Sequence, residues 1–247
     1  GAGDDHIESM AGDDIVTGGD GNDILDDHDG LDRMSGAAGD DTFLTGIDDD
    51  HFDGGDGFDT LDFVYSDRGM KVDLVEGTTS TKGEQGSDTV ANIEGLIGTP
   101  FVDGFTGGDE NNYFVGREEI DHFFGGGGDD MMIPGLGSDA VFGGDGIDTV
   151  SFAGALQPMT VDLRNGFAQG EGNDTVLQFE NVIGSQWTDL IRGDASANRV
   201  MGGDGGDYIE GFEGDDYFDG EGGFDTLDGG DGTDTCLAGE SRFACEV

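Results

Sequence analysis

Basic residues are scarce: nine Lys and Arg stand against 57 Asp and Glu, a formal charge of −48 over 247 residues. Such a chain lacks the clustered cations that binding a nucleic-acid backbone or an anionic membrane requires. Long apolar runs are missing too. No stretch approaches the ~18 residues of a spanning helix, and no charged-then-apolar leader opens the chain. Signatures of catalysis are equally absent, with no H-E-x-x-H, no G-x-S-x-G elbow and no Cys–His pairing. The four histidines, His6, His28, His51 and His122, show no transition-metal spacing. Proline occurs three times and cysteine twice.

Glycine is what the chain has in excess, with 51 residues. Acidic, glycine-rich chains with few aromatics can be disordered, but here the apolar residues recur too regularly. Twenty nine-residue rows run from Gly1 to Asp62, from Gly98 to Ser151 and from Gly184 to Glu246, the first lacking its opening residue. The clearest rows read Gly18-Gly19-Asp20-Gly21-Asn22-Asp23-Ile24-Leu25-Asp26 and Gly143-Gly144-Asp145-Gly146-Ile147-Asp148-Thr149-Val150-Ser151. This is the G-G-x-G-x-D-x-U-x pattern of the calcium-binding parallel β-helix. Position eight is apolar throughout: Ile7, Val16, Leu25, Met34, Phe43, Phe52 and Leu61, then Phe105, Phe114, Phe123, Met132, Val141 and Val150, then Ile191, Val200, Ile209, Phe218, Leu227, Cys236 and Cys245. Position six is Asp except at Asn112, Asn198 and Phe243.

Alternate residues of a strand face opposite ways, so a three-residue strand aims one side chain inward. A six-residue turn then reverses the chain, and its glycines allow positive φ and close backbone approach. Two rows make one coil, which places residue i over residue i+18. A single row buries almost nothing, so stability must come from stacking. Ten coils at ~4.8 Å make a rod on the order of 50 Å. The expectation is one continuous all-β parallel solenoid over 1–247, with arrays at 1–62, 98–151 and 184–246.

Two segments, 63–97 and 152–183, break the rhythm and resemble each other. Met70-Lys71-Val72-Asp73-Leu74 matches Met159-Thr160-Val161-Asp162-Leu163, Ser87-Asp88-Thr89-Val90 matches Asn173-Asp174-Thr175-Val176, and Ile93-Glu94-Gly95-Leu96-Ile97-Gly98 matches Phe179-Glu180-Asn181-Val182-Ile183-Gly184. A super-repeat of roughly 54–142 and 143–228 follows. Alternation at Met70, Val72 and Leu74 predicts strand, so these segments should continue the solenoid without calcium turns.

With these residues the chain resembles the RTX (hemolysin-type) family of secreted bacterial proteins, and the interruptions resemble those of the C-terminal β-roll of serralysin-type proteases. Six rows carry the full turn motif, opening at Gly18, Gly54, Gly125, Gly143, Gly202 and Gly229. The resemblance implies a parallel β-roll with multiple calcium ions between stacked turns, held by position-six carboxylates and glycine-turn carbonyls. In the first array the implied metal residues are Asp5, Asp14, Gly18, Asp20, Gly21, Asp23, Asp32, Asp41, Gly54, Asp56, Gly57 and Asp59. In the second they are Gly126, Gly128, Asp130, Asp139, Gly143, Asp145, Gly146 and Asp148. In the third they are Gly202, Asp204, Gly205, Asp207, Asp216, Asp225, Gly229, Asp231, Gly232 and Asp234.

Position four departs from glycine at Asp48, Phe101, Glu110, Glu119, Trp187 and Ser196. A side chain there crowds a tight turn, so rows 98–124 and 184–201 are poor calcium candidates, and Asp103, Asp121 and Asp189 are doubtful ligands. Asn112 and Asn198 suggest neutral amides in place of the metal ladder. Cys236 and Cys245 fill the same slot of adjacent rows, and in a secreted, acidic rod a disulfide between them is the expected state.

Without calcium, carboxylates would stack every ~4.8 Å, inside the ~8 Å screening length at physiological salt. That repulsion, with the entropy of 51 glycines, should outweigh a thin core, so binding and folding become one event. The leading expectation is a secreted or cell-surface, non-catalytic, calcium-folded scaffold or stabilising module, attached to a neighbouring domain of a larger protein. The chain opens in mid-row, which reads as a processed protein or a fragment. The alternative is a subunit of an extracellular fibre or surface layer, the chain stacking on itself through open solenoid edges. An enzyme working on a groove of the solenoid would need acids or histidines clustered off the repeat positions, and none stands out.

Overall fold

Eighteen residues is the spacing at which strands stack in the computed structural model, which describes residues 1–45, 48–81, 88–238 and 241–245. Gly46, Ile47, Ser87 and Glu246, which the rows and interruptions take in, lie outside these residues. The described residues contain strands, bridges and turns and no helix. The chain divides into two compact units, Gly1–Gly126 and Gly127–Val247, and each is a parallel β-roll built from two sheets.

In the first unit one sheet runs His6–Glu8, Ile24–Asp26, Thr42–Leu44, Thr60–Asp62, Gly95–Ile97, Tyr113–Val115. Its register pairs Leu25 with Phe43 and Phe43 with Leu61, all parallel. The other sheet begins with Ile15–Asp20, Arg33–Ala38 and His51–Asp56, where Met34 pairs with Phe52. Position-eight side chains from both sheets meet in the interior. Leu25, Met34, Phe43, Phe52, Leu61, Phe105, Phe114 and Phe123 are buried there, while Ile7 and Val16, in the first rows, are only half-buried. Phe43 and Phe52 meet edge to face at 5.6 Å, and Phe105 stacks on Phe123 at 5.0 Å. Both are favoured aromatic geometries.

The first interruption stays in the roll, as the alternation at Met70 and Val72 predicts. Val90 pairs in parallel with Phe52, Val72 with Phe105, and Leu96 with both Leu61 and Phe114. The extra length is taken up by Thr78–Thr81, which runs antiparallel between Met70–Asp73 and Thr89–Ala91. Leu74, just past its strand, is half-buried rather than core.

The second unit repeats the plan. One sheet runs Met131–Ile133, Thr149–Ser151, Asn181–Ile183, Arg199–Met201, Tyr217–Asp219, Thr235–Leu237. In the other, Asn173–Leu177 joins Ala140–Asp145 in parallel, and Phe167–Gln169 turns back antiparallel between it and Thr160–Asp162. Val176 pairs with Val141, and Val161 with Ile191. Near its end, Cys236 and Cys245 form a disulfide with Cα atoms 5.8 Å apart.

Candidate functional site

The turn aspartates are buried, not solvated. Asp23, Asp32, Asp41, Asp59, Asp130, Asp139, Asp148, Asp207, Asp216, Asp225 and Asp234 all lie in the interior of the turns, while Asp5 is exposed and Asp14 half-buried in the first rows. A buried carboxylate needs hydrogen bonds or a counter-ion. Half of that need is met by a ladder: each Oδ1 accepts the backbone N–H of the position-six residue eighteen places earlier. Asp5 donates to Asp23 at 2.7 Å, Asp23 to Asp41 at 2.7 Å, Asp41 to Asp59 at 2.8 Å, and, on the opposite edge, Asp14 to Asp32 and Asp32 to Asp50, each at 2.8 Å. In the second unit Asp130 donates to Asp148 at 2.9 Å, Asp207 to Asp225 at 3.0 Å and Asp216 to Asp234 at 2.9 Å.

The second oxygen is different. Oδ2 of Asp23, Asp41, Asp59, Asp148, Asp207 and Asp216 is buried with no hydrogen-bond donor. Each points at the glycine opening its own row. A methyl on Gly36 would lie 2.0 Å from Asp41 Oδ2 and 2.7 Å from the Gly54 carbonyl oxygen; one on Gly211 would lie 2.0 Å from Asp216 Oδ2 and 2.4 Å from the Gly229 carbonyl oxygen. Glycine is therefore required at position one because a carboxylate oxygen and the next coil's carbonyl oxygen occupy the space of a side chain. Two acceptors converge with no proton between them, which is the arrangement a hard, oxygen-seeking cation fits. Among the described residues no three acidic, His or Cys side chains form a cage, so most ligands here would be backbone oxygens. Asp20, Asp56, Asp145, Asp204 and Asp231, at position three, turn their side chains to solvent.

The poor rows solve the same problem with protein atoms. In the row opening at Gly98 the Thr99 N–H reaches Asp103 Oδ2 at 2.6 Å, and the Thr99 hydroxyl reaches Asp103 Oδ1 at 3.1 Å. Ser185 serves Asp189 in the same way, through its N–H at 2.6 Å and its hydroxyl at 2.8 Å. Asn198 accepts the Asp194 N–H at 2.8 Å and donates to the Glu180 carbonyl at 3.0 Å. Asn112 accepts the Gly108 N–H at 3.1 Å and donates to the Glu94 carbonyl at 3.4 Å. Each amide closes its own turn and ties it to the coil eighteen residues earlier.

The interruptions supply ladder members that the nonapeptide pattern does not mark. Asp50 donates to Asp88 Oδ1 at 3.0 Å and Asp59 to Glu94 Oε2 at 2.9 Å. In the second unit Asp139 donates to Asp174 Oδ1 at 3.1 Å and Asp148 to Glu180 Oε2 at 2.9 Å. The matched triplets around Asp88 and Asp174, and around Glu94 and Glu180, were the available signal.

Burial dominates the electrostatics. It pushes the carboxyls of Asp59, Asp148 and Asp216 up to about 6 and that of Asp207 to about 7, against the pull of the N–H each accepts. Facing carboxylates add to the rise, Asp41 at Asp59 and Asp234 at Asp216.

A family model described as RTX calcium-binding nonapeptide repeat (4 copies) matches residues 1–26, 28–61, 106–141, 183–209, 192–227 and 210–241. Those segments cover more than half of the chain and fall on the three arrays. No curated protein matches the chain as a relative.

Proposed function

The chain belongs to the RTX calcium-binding nonapeptide-repeat family and is a calcium-binding repeat module, and we propose that it is a secreted, non-catalytic scaffold whose fold is completed by the ions. In this reading the side-chain ligands are the position-six carboxylates of the glycine-opened rows, Asp23, Asp41, Asp59, Asp130, Asp148, Asp207, Asp216, Asp225 and Asp234. The carbonyls of the glycine turns complete the shell. Asp5, Asp14, Asp32 and Asp139 sit in rows whose position one is absent or is Ser9, Asp27 or Pro134, and they take part through the N–H ladder first.

The observation that carries this reading is the pairing of a buried, donor-less Oδ2 with a carbonyl oxygen at glycine-opened turns. In the rows opening at Gly98 and Gly184, which depart from the pattern at position four, Oδ2 takes the row's own N–H instead. Each bound ion would cancel two charges of an acidic edge and tie two coils together. Extracellular calcium modules bind at about 10⁻⁴–10⁻³ M, so the module would remain open in a calcium-poor compartment and close outside the cell. There it would stabilise a neighbouring domain of a larger protein.

Calcium titrated into chelator-treated protein tests this, followed by far-UV circular dichroism and sedimentation. The expected result is a cooperative coil-to-β transition ending in a compact monomer. A chain already fully folded in chelator would overturn the calcium-folded mechanism. A transition ending in large assemblies would replace the scaffold with a self-stacking subunit.

A further inference from the structure

One edge of the first unit lacks position-one glycines. Ser9, Asp27 and Thr45 stand there in successive coils, and Phe63, the first residue of the interruption, follows eighteen residues on. By the repeat pattern this edge is defective. Yet Asp27 is 1% exposed and neither of its carboxylate oxygens has an aligned hydrogen-bond donor. The Thr45 hydroxyl is wholly buried, with the Asp27 carboxylate within its reach. Asp27 lies against both Thr45 and Asp50, with Asp32 close enough to act on it through its charge.

The surroundings are built up around this gap. The Asp50 carboxylate is fixed by the Asp32 N–H at 2.8 Å, and Asp32 by the Asp14 N–H at 2.8 Å and the Ser9 hydroxyl at 3.2 Å. Buried Phe63 occupies the next place in the column. Tyr65 sends its hydroxyl to Asp26 Oδ2 at 2.8 Å and stacks on His28 at 5.8 Å. The acid is not demanded by the fold. At the places that correspond to Asp27 and Thr45 ahead of the second interruption stand Gly116 and Pro134.

We propose that Asp27, Asp50 and the Thr45 hydroxyl form a separate divalent-cation site, roofed by the interruption, in which side-chain oxygens replace the glycine carbonyls of the repeat. Two carboxylates and a hydroxyl are hard ligands suited to calcium, and an ion would neutralise two buried charges that otherwise face one another. The proposal goes beyond the glycine-turn reading, because it places an ion where that pattern is broken.

The test counts ions. Equilibrium dialysis gives the calcium stoichiometry, and terbium, a luminescent substitute for calcium, reports a site beside Tyr65 through tyrosine-sensitised emission, read as the part lost in Tyr65→Phe. Asp27→Ala should bind one ion fewer per chain and lose that Tyr65-dependent emission, while the calcium-driven circular dichroism transition persists. Unchanged stoichiometry and emission would overturn the site and leave Asp27 and Asp50 sharing a proton. If Asp27→Ala fails to fold, Asp27→Asn, which keeps the side chain's size and removes its charge, is read by the same two quantities. A wild-type chain that kept the Tyr65-linked signal but took up no further calcium would sink the glycine-turn reading and leave this one standing.

Discussion

The backbone N–H of Asp41 donates to Oδ1 of Asp59 across 2.8 Å, and Asp41 Oδ1 in turn accepts the N–H of Asp23 at 2.7 Å. Asp41 is thus donor to one coil and acceptor from another, while its remaining oxygen faces Gly36.

That division of labour separates two substitutions at Asp41. Asp41→Ala strands the buried N–H of Asp23, at a cost of about 1–3 kcal/mol with or without calcium. Asp41→Asn keeps an acceptor for that N–H and removes a charge. It should be neutral or stabilising in chelator and weaken folding only in calcium. Chemical denaturation of both variants under both conditions checks the crossover; identical behaviour of Asn and Ala would show that the ladder hydrogen bond, not the charge, is what matters.

The raised carboxyls dictate a pH response. Asp59, Asp148, Asp207 and Asp216 hold protons in the fold up to about pH 6–7, whereas unfolded carboxyls release them near 4. Between those values the folded chain binds more protons than the unfolded one, so stability falls as pH rises. In chelator, β-structure should therefore increase from pH 8 toward pH 5. With calcium, protons and ions compete for the same oxygens, and the calcium midpoint should move to higher concentration as pH drops from 7.5 to 5.5. A midpoint independent of pH would contradict the carboxylate assignment.

Glycine should be irreplaceable at position one and dispensable at an open position two such as Gly108. A methyl on Gly18 would stand 2.1 Å from Asp23 Oδ2, whereas one on Gly108 meets nothing within 4 Å. Gly18→Ala must push the carboxylate out of its cradle, at about 1–3 kcal/mol for overpacking and with weaker calcium binding. Gly108→Ala should leave both properties near wild type. Thermal melts in excess calcium and in chelator separate the two.

The disulfide joins residues nine apart. Loop entropy for a ring of that size is worth about 2–3 kcal/mol, all of it in the last coil. Cys236→Ser with Cys245→Ser should accelerate amide exchange at Thr235–Leu237 and the adjoining Thr226–Asp228 and leave the first unit's exchange unchanged. Uniform acceleration through the chain would show that the last coil holds the rest.

Much of this was legible in the rows. Leu25, Phe43 and Leu61 sit in register because a nine-residue period with one inward side chain admits no other stacking, and the i+18 spacing follows. Met70 and Val72 announced a strand by alternation. The antiparallel return of Thr78–Thr81 was not legible, since its polar residues have neither an apolar period nor a repeat partner. Asp88, Glu94, Asp174 and Glu180 were hidden for another reason. They complete the ladder in space at separations of 32, 35 and 38 residues, so no fixed period reveals them. Position-four side chains did mark Asp103 and Asp189 as doubtful ligands, but the physical reason lies at position two, where Thr99 and Ser185 already satisfy the second oxygen.

The N–H ladder also gives the roll a polarity along its length. Every buried position-six rung runs from an earlier turn to a later one, while the exposed position-five rungs, such as Asn22 N–H to Asp4 Oδ1, run the other way. Removing a coil therefore has unequal effects on the buried groups of its two neighbours. The coil before it is left with buried N–H groups that nothing in an apolar interior can replace. The coil after it keeps carboxylates with one more free oxygen, which an ion can take up. Damage therefore spreads more readily toward the start of a unit than toward its end, and calcium can repair only one of the two exposed faces.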